Sequence, residues 1–262
     1  MTRSVALIGL GALGQTIAAE LKAGHLPGVA FGGALVPPGW DRAGPDVTWQ
    51  HVQDLLASGP DLVVEAAGHG ALATHAEACL RAGRDLVVAS VGALMEQDLR
   101  DRLWDAAREG RSRLIIPSGA LGGLDYLRAA RRAGRLQVRY RGCKPVAAWR
   151  NTVAEELVDL GAIRQATTFF RGRAAEAARR FPQNANVVAA LALAVGDPDA
   201  VAVELVADPQ AETNSHHVEA DGDAGSFQLR VQNLPMPTNP KTSRVTAYSV
   251  LDAIAAHLGV DG

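Results

Sequence analysis

Leu7-Ile8-Gly9-Leu10-Gly11-Ala12-Leu13-Gly14 is the stretch on which the reading of the fold turns. Ahead of it, Ser4-Val5-Ala6-Leu7-Ile8 has the unbroken apolar character of a strand buried on both faces. Behind it, Leu13, Ile17 and Leu21 recur at helical spacing and give a helix one apolar face. Glycines at such a joint have a mechanical meaning. Gly9 allows the tight turn, Gly11 removes the side chain that would hold the backbone away from a pyrophosphate, and Gly14 lets the helix pack closely on the strand. The helix start at Ala12 and Leu13 then directs free N–H groups at the phosphates. A dinucleotide is the ligand that this arrangement predicts.

The bulk properties bound the alternatives. With 262 residues, 48% of them hydrophobic, the chain can bury a core and has length for two modest domains. A net charge of -2 and a pI near 6.4 provide no footprint for nucleic acid or an anionic membrane. Cys79 and Cys143 are the only cysteines, and no Cys/His spacing suggests a metal site. The first strand begins too early for a secretory leader, and no apolar run of about 18 residues spans a membrane. The expectation is a cytoplasmic protein without nucleic-acid or membrane partners.

The first half alternates strand and helix patterns. Residues 29–36 read as a second strand, stopped by Pro37-Pro38-Gly39. A carboxylate for the adenosine ribose is expected there, about 20 residues past the glycines. None stands at that point; Asp41 and Arg42 lie a little beyond, so NAD and NADP both remain open. Residues 61–69 form a strand ending in small residues, followed by a helix with Leu72, Ala76, Cys79 and Leu80 on one side. Residues 85–93 repeat the plan, with Met95, Leu99 and Leu103 facing inward and Gly110 as a stop, and residues 114–120 repeat it again. Ligands lie at the carboxyl ends of such strands, where Ala67, Gly68, Gly92 and Gly119 leave room.

Beyond residue 121 the pattern changes. Residues 136–142, 201–206 and 226–231 read as strands, the last pairing with the segment around His217 across the Gly222-Asp223 turn. Helices are predicted over 174–180, 186–194 and 245–258, the last after the polar turn Thr238-Asn239-Pro240-Lys241-Thr242-Ser243. The fold class is therefore α/β: a Rossmann-type dinucleotide-binding domain, with a second α+β domain built on a mostly antiparallel sheet. The expected division is residues 1–120, 121–240 for substrate, catalysis and oligomerisation, and 241–262 as a C-terminal helix returning to the first domain.

Several segments carry a resemblance in their order and spacing. They are the glycine loop, Glu65-Ala66-Ala67-Gly68-His69, Val88-Ala89-Ser90-Val91-Gly92-Ala93-Leu94, Pro117-Ser118-Gly119-Ala120, Lys144-Pro145, Pro182-Gln183-Asn184-Ala185-Asn186-Val187, the region of His216, and Asn239-Pro240-Lys241-Thr242-Ser243. Together they resemble the L-aspartate dehydrogenase family. The resemblance implies oxidation of L-aspartate to iminoaspartate with NAD or NADP, giving oxaloacetate and ammonia or feeding NAD biosynthesis. It also implies that Ala120 and Asn186 contact NAD and that His216 is the active-site histidine. Two features depart from the family pattern: Pro37-Pro38-Gly39 replaces a polar end to strand two, and Cys143 precedes Lys144 where a basic residue is common.

The chemistry can be set against the residues independently. Hydride leaves the Cα of an amino acid only once its amine is neutral, so a base with a pKa near working pH is required, and His216 fits. Two substrate carboxylates call for cationic or hydrogen-bonding partners; the candidates are Lys144, Asn239, Lys241, Thr242 and Ser243. In an extended segment His216 and His217 point to opposite faces, so one of them alone is catalytic. Asn214, His216 and Val218 share the more apolar face. A dihydrodipicolinate-type reductase is an alternative suggested by the paired histidines, although the lysine and Ser-Gly-Thr loop of that site are missing. A dinucleotide-sensing regulator without turnover is another. A sheet covered on one face leaves the other to bury, which predicts a homo-oligomer.

Overall fold

The apolar run at the N-terminus becomes β1 (Arg3–Ile8) in the computed structural model, which describes residues 2–40, 47–182, 185–237 and 239–260. The chain divides into two units, Met1–Gly119 with Thr246–Gly262, and Ala120–Val245.

In the first unit β1 leads into α1 (Ala12–Lys22), β2 (Val29–Leu35), β3 (Thr48–Trp49) and α2 (Val52–Ala57). It continues through β4 (Leu62–Glu65), α3 (His69–Arg81), β5 (Leu86–Val88), α4 (Gln97–Gly110) and β6 (Leu114–Ile115). The strands form a parallel sheet in the order β3-β2-β1-β4-β5-β6. This doubly wound arrangement reverses direction between β1 and β4, and ligands bind beyond the carboxyl ends of the strands at such a switch. Buried residues of β1, β2, β4 and α1, among them Val5, Leu7, Val64 and Ile17, make a core that also takes in Ala247, Val250, Leu251 and Ile254. Those four belong to α9 (Val245–Leu258), which is further tied by Gly119 N–H donating to Ser249 Oγ at 3.0 Å.

The structure departs from the sequence pattern at two points in this unit. β3 has no counterpart in the sequence pattern, because a two-residue strand carries no periodicity to read. α4 ends at Gly110, as expected, but the left-handed residue that terminates it is the next one. The helix turns at Arg111 in a left-handed conformation, φ 52°, whereas a Cβ on Gly110 would overlap the Leu80 carbonyl, so that glycine serves close packing against the end of α3. His69 is the first residue of α3, with Gly68 in the cap position. Asp41 and Arg42 lie outside the described residues.

The second unit opens with α5 (Leu124–Ala130) and the long strand β7 (Leu136–Pro145), followed by α6 (Ala154–Leu157) and β8 (Thr167–Arg173). α7 (Ala174–Arg180), α8 (Ala185–Val195), β9 (Val201–Asp208), β10 (Asn214–Gly222) and β11 (Gly225–Asn233) follow, then the short β12 (Pro235–Met236) and β13 (Asn239–Ser243). The main sheet has the order β11-β10-β7-β9-β8. Three of its four pairings are antiparallel, and β7 with β9 is parallel. A parallel pair needs a long crossover, which the chain from α6 to α8 supplies. Residues 239–243, expected as a polar turn with 241–243 grouped with the last helix, instead pair as β13 with β12, and the helix begins at Val245. β8 was also not anticipated. Of its seven residues Thr167-Thr168-Phe169-Phe170-Arg171-Gly172-Arg173 only Phe170 is buried, and its register against β9 shifts between Thr168 and Phe170, so no clean alternation exists to read. No helix among the described residues is long and apolar enough to cross a membrane.

Candidate active site

In the first unit the glycine loop has the geometry that each glycine implies. Gly9 has φ 96°, a conformation L side chains rarely adopt, and a Cβ there would lie 2.5 Å from that of Ala67. A Cβ on Gly14 would overlap the Gly9 carbonyl, so α1 sits hard against the turn. At Gly11, by contrast, a Cβ would meet nothing within 4 Å. That open space lies where the chain enters α1, whose start has no side-chain cap and no acidic residue in its first turn. Backbone donors with space before them suit a pyrophosphate.

The neighbouring loop is organised by a buried carboxylate. Glu65, at the end of β4, is fully buried. Its Oε1 accepts from Ala67 N–H, Gly68 N–H and Ser90 Oγ, each at 2.8 Å, and its Oε2 accepts from Ser90 N–H at 3.0 Å. Burial pushes the carboxyl above its ordinary pKa against the pull of those donors. One side chain thereby ties the loops after β4 and β5 together. The N–H groups of Ala67 and Gly68 are committed to it, which leaves these two expected cofactor contacts their small size and their carbonyls. The signal was present, since a carboxylate closes the apolar run Leu62-Val63-Val64.

In the second unit β7 and β10 bring four polar side chains, Tyr140, Lys144, Asn214 and His216, onto the covered face of the sheet. On β7 the buried face carries Leu136, Val138, Tyr140, Gly142 and Lys144, and on β10 it carries Asn214, His216, Val218 and Ala220. His216 is 3% exposed, and its Nδ1 lies 2.9 Å from Tyr140 Oη. Its Nε2 is buried without a hydrogen-bond partner. Burial, then the charge of Lys144, then that of His217 bring the imidazole down to about 4, so it is neutral at ordinary pH. Lys144 is itself buried, its ammonium 5.3 Å from the centre of the Trp149 ring. Trp149 is fixed in turn by its Nε1–H donating to the Val206 carbonyl at 3.0 Å and by an edge contact with Phe169. Tyr140 was not singled out from the sequence; a tyrosine among the buried positions of an alternating strand was the available signal.

His217 points to the other face. There a cavity of about 660 Å³ is lined by Arg141, Ser215, His217, Arg230 and residues of the 208–213 loop. The other expected site residues are dispersed within the second unit. Ala120 is half-buried, with its carbonyl accepting from Asn233 Nδ2 at 2.8 Å. Asn186 is exposed in the first turn of α8. Asn239 Nδ2 donates to Thr242 Oγ1 at 3.0 Å, and Ser243 is buried opposite Pro235. The side chain of Lys241 lies outside the described part, as do Gln183 and Asn184.

Comparison with known proteins bears on both units. Residues 125–257 match the family described as aspartate dehydrogenase, C-terminal, and residues 9–117 match the NAD-binding domain of homoserine dehydrogenase. The chain is 44% identical to L-aspartate dehydrogenase 2 of Bordetella pertussis over 98% of both chains. It is 44% identical to L-aspartate dehydrogenase of Ruegeria pomeroyi, over 95% of this chain and 90% of the other. The crystal structure of aspartate dehydrogenase from Thermotoga maritima superposes with a TM-score of 0.80 at 26% identity, covering 98% of this chain and 97% of that one.

Proposed function

The chain belongs to the L-aspartate dehydrogenase family, and from that premise we propose that it oxidises L-aspartate at Cα with NAD or NADP, using His216 as general base. The observation that carries this reading is a buried neutral imidazole whose Nε2 has no partner, beside a buried lysine. NAD(P)+, when bound, accepts the hydride. Its expected contacts are Gly9, Gly11, Ala12, Leu13, Gly14, Ala67, Gly68, Ala120 and Asn186.

The substrate arrives as an ammonium, and Nε2 of His216 takes one proton from it. The freed nitrogen lone pair then forms the C=N bond as the Cα–H bonding pair departs as hydride. The product is iminoaspartate, whose hydrolysis gives oxaloacetate and ammonia. Lys144 has two effects on this sequence. Its charge depresses the basicity of His216. Pairing with a substrate carboxylate offsets that charge, so aspartate itself raises the basicity of the group that must deprotonate it. The second carboxylate is assigned to the β12–β13 ribbon, through Asn239, Lys241, Thr242 and Ser243.

A screen of L-amino acids against both cofactors tests the substrate. Turnover confined to L-aspartate is expected, and equal turnover of L-alanine or L-glutamate would defeat the two-carboxylate argument. His216→Ala should lower kcat by about 100- to 10,000-fold with cofactor affinity retained, whereas His217→Ala should change it only several-fold. The opposite ranking would overturn the assignment. Two free cysteines agree with a cytoplasmic protein. We further assign a homo-oligomer formed through the uncovered sheet face, where a monomeric mass in light scattering is the contrary result.

A further inference from the structure

Within the second unit His216 uses one of its two ring nitrogens. Nδ1 meets Tyr140 Oη at 2.9 Å, and Nε2 is buried without a partner. The contact runs diagonally between strands: His216 stands opposite Gly142, and Tyr140 stands opposite Val218. The phenol must therefore pass over position 142 to reach the imidazole. A Cβ on Gly142 would lie 2.6 Å from Tyr140 Oη and 3.1 Å from its Cζ, so a residue without a side chain is what keeps that path open. The two rings lie nearly parallel, 19° apart, with centroids separated by 6.0 Å. Burial pushes the phenol pKa up, so Tyr140 is neutral throughout the working range.

We propose that Tyr140 is the positioning residue of His216, and that Gly142 is the slot through which it acts. This rests on the reading of His216 as the base of an aspartate dehydrogenase. A base at Nε2 needs its lone pair there, which places the proton of the neutral ring on Nδ1; Nδ1–H then donates to Tyr140 Oη. Once Nε2 has taken the substrate proton, the ring is a cation and the same N–H···O bond becomes charge-assisted. Tyr140 thus fixes the ring plane and the tautomer, and it favours the protonated ring as that ring forms. The charged groups that act on the imidazole, Lys144 on β7 and His217 on its own strand, both oppose the cation. Tyr140 works against them. It is a positioning residue because it touches the base and not the substrate.

The test uses the whole enzyme with L-aspartate and NAD. Tyr140→Phe keeps the ring and removes the oxygen; kcat is expected to fall about 10- to 100-fold, the range found when a group that orients a metal-binding histidine is lost. Cofactor affinity by titration should be unchanged. The acid limb of kcat/KM should move to lower pH, because the imidazolium loses its acceptor. Gly142→Ala should cost a similar factor alone, but only about twofold in the Tyr140→Phe background, where the oxygen it would strike is gone. His216→Ala is the control. If that variant stays active, the base reading fails and this proposal falls with it. If His216→Ala is crippled while Tyr140→Phe matches the parent enzyme, the positioning role alone is overturned. An acid limb moving to higher pH also overturns it, since the phenol would then be donating to Nδ1. Additive losses for Tyr140→Phe and Gly142→Ala would remove the slot.

Discussion

Lowering the pH should weaken the protein through His216 before the reaction is considered. The imidazole is about 4 in the folded chain and near 6.5 when exposed. Its folded pKa is depressed, so its stabilising contribution is present above about 6.5 and is lost as the pH falls toward 4. The unfolded chain binds a proton in that window and the folded chain does not. From the two pKa values the loss is about 2 kcal/mol between pH 7.5 and 5, and about 3 kcal/mol by pH 4. Other groups titrate over the same range, so the quantity to measure is a difference. Urea unfolding of the parent protein and of His216→Asn, followed by far-UV circular dichroism at pH 7.5, 6 and 5, yields two stability curves. The parent curve should drop below that of the variant by about 2 kcal/mol across the range. A pH-independent difference, or an NMR titration of the His216 ring with a midpoint near 6.5, would refute the argument, because the ring would then not be held neutral by burial and by Lys144.

Three further outcomes follow from the first unit. Glu65→Ala strips the acceptor from three backbone N–H groups and one hydroxyl, of which the Ser90 N–H and Ser90 Oγ are buried; at about 1–3 kcal/mol for each buried group left without a partner, a loss on the order of 4 kcal/mol is expected. Glu65→Gln, which keeps one acceptor oxygen, should lose less than half of that, and equal losses in urea unfolding would contradict the assigned bonds. Gly11→Ala should leave the melting temperature within a few degrees while weakening cofactor binding at least tenfold in a fluorescence titration, whereas Gly14→Ala should lower the melting temperature. The reverse pattern would mean that the open space at Gly11 is not where the pyrophosphate lies. For cofactor choice, kcat/KM with NADP should come within about 1000-fold of that with NAD, equivalent to roughly 4 kcal/mol, because no carboxylate ends β2. A larger preference for NAD would point to an acid elsewhere.

What the sequence discloses follows from which interactions are local. The buried strand, the glycine turn and the apolar face of α1 are each set by residues a few positions apart, so periodicity and turn chemistry reveal them. α7 and α9 are equally legible, their bounds agreeing with the predicted 174–180 and 245–258. β3 and β13 are not, because short strands are defined by partners distant in sequence and have no period of their own. The same reasoning separates the site residues. The proposal of His216 rests on its face and on family likeness, since the alternation along β10 is local. Tyr140 and Glu65 matter through what they bond, and those partners lie 76 residues and up to 25 residues away. Gly142 is harder still. Its function is to be passed over by another residue's side chain, and nothing adjacent to it in the chain shows that.

The register of β10 against β7 connects fold and chemistry within the second unit. A slip of one residue turns every side chain on the strand to the opposite face. His217, flanked by Arg141 and Arg230 in the present register, would then take the covered face, and His216 would join those arginines on the uncovered one. The slip is resisted from both ends of the strand. At one end the β10–β11 hairpin closes at Gly222 and Gly225, and a Cβ on Gly222 would overlap the Arg135 carbonyl. At the other, Asn214 stands opposite Asn233, whose side chain donates to the Ala120 carbonyl. Between those ends Val218 and Ala220 are buried where Glu219 and Asp221 are exposed. Exchanging them would place two carboxylates in the core, at a cost of several kcal/mol each unless they were protonated or paired. The acidic residues on the outer face of β10, remote from any step of the reaction, therefore help to keep His216 and not His217 beside Tyr140 and Lys144.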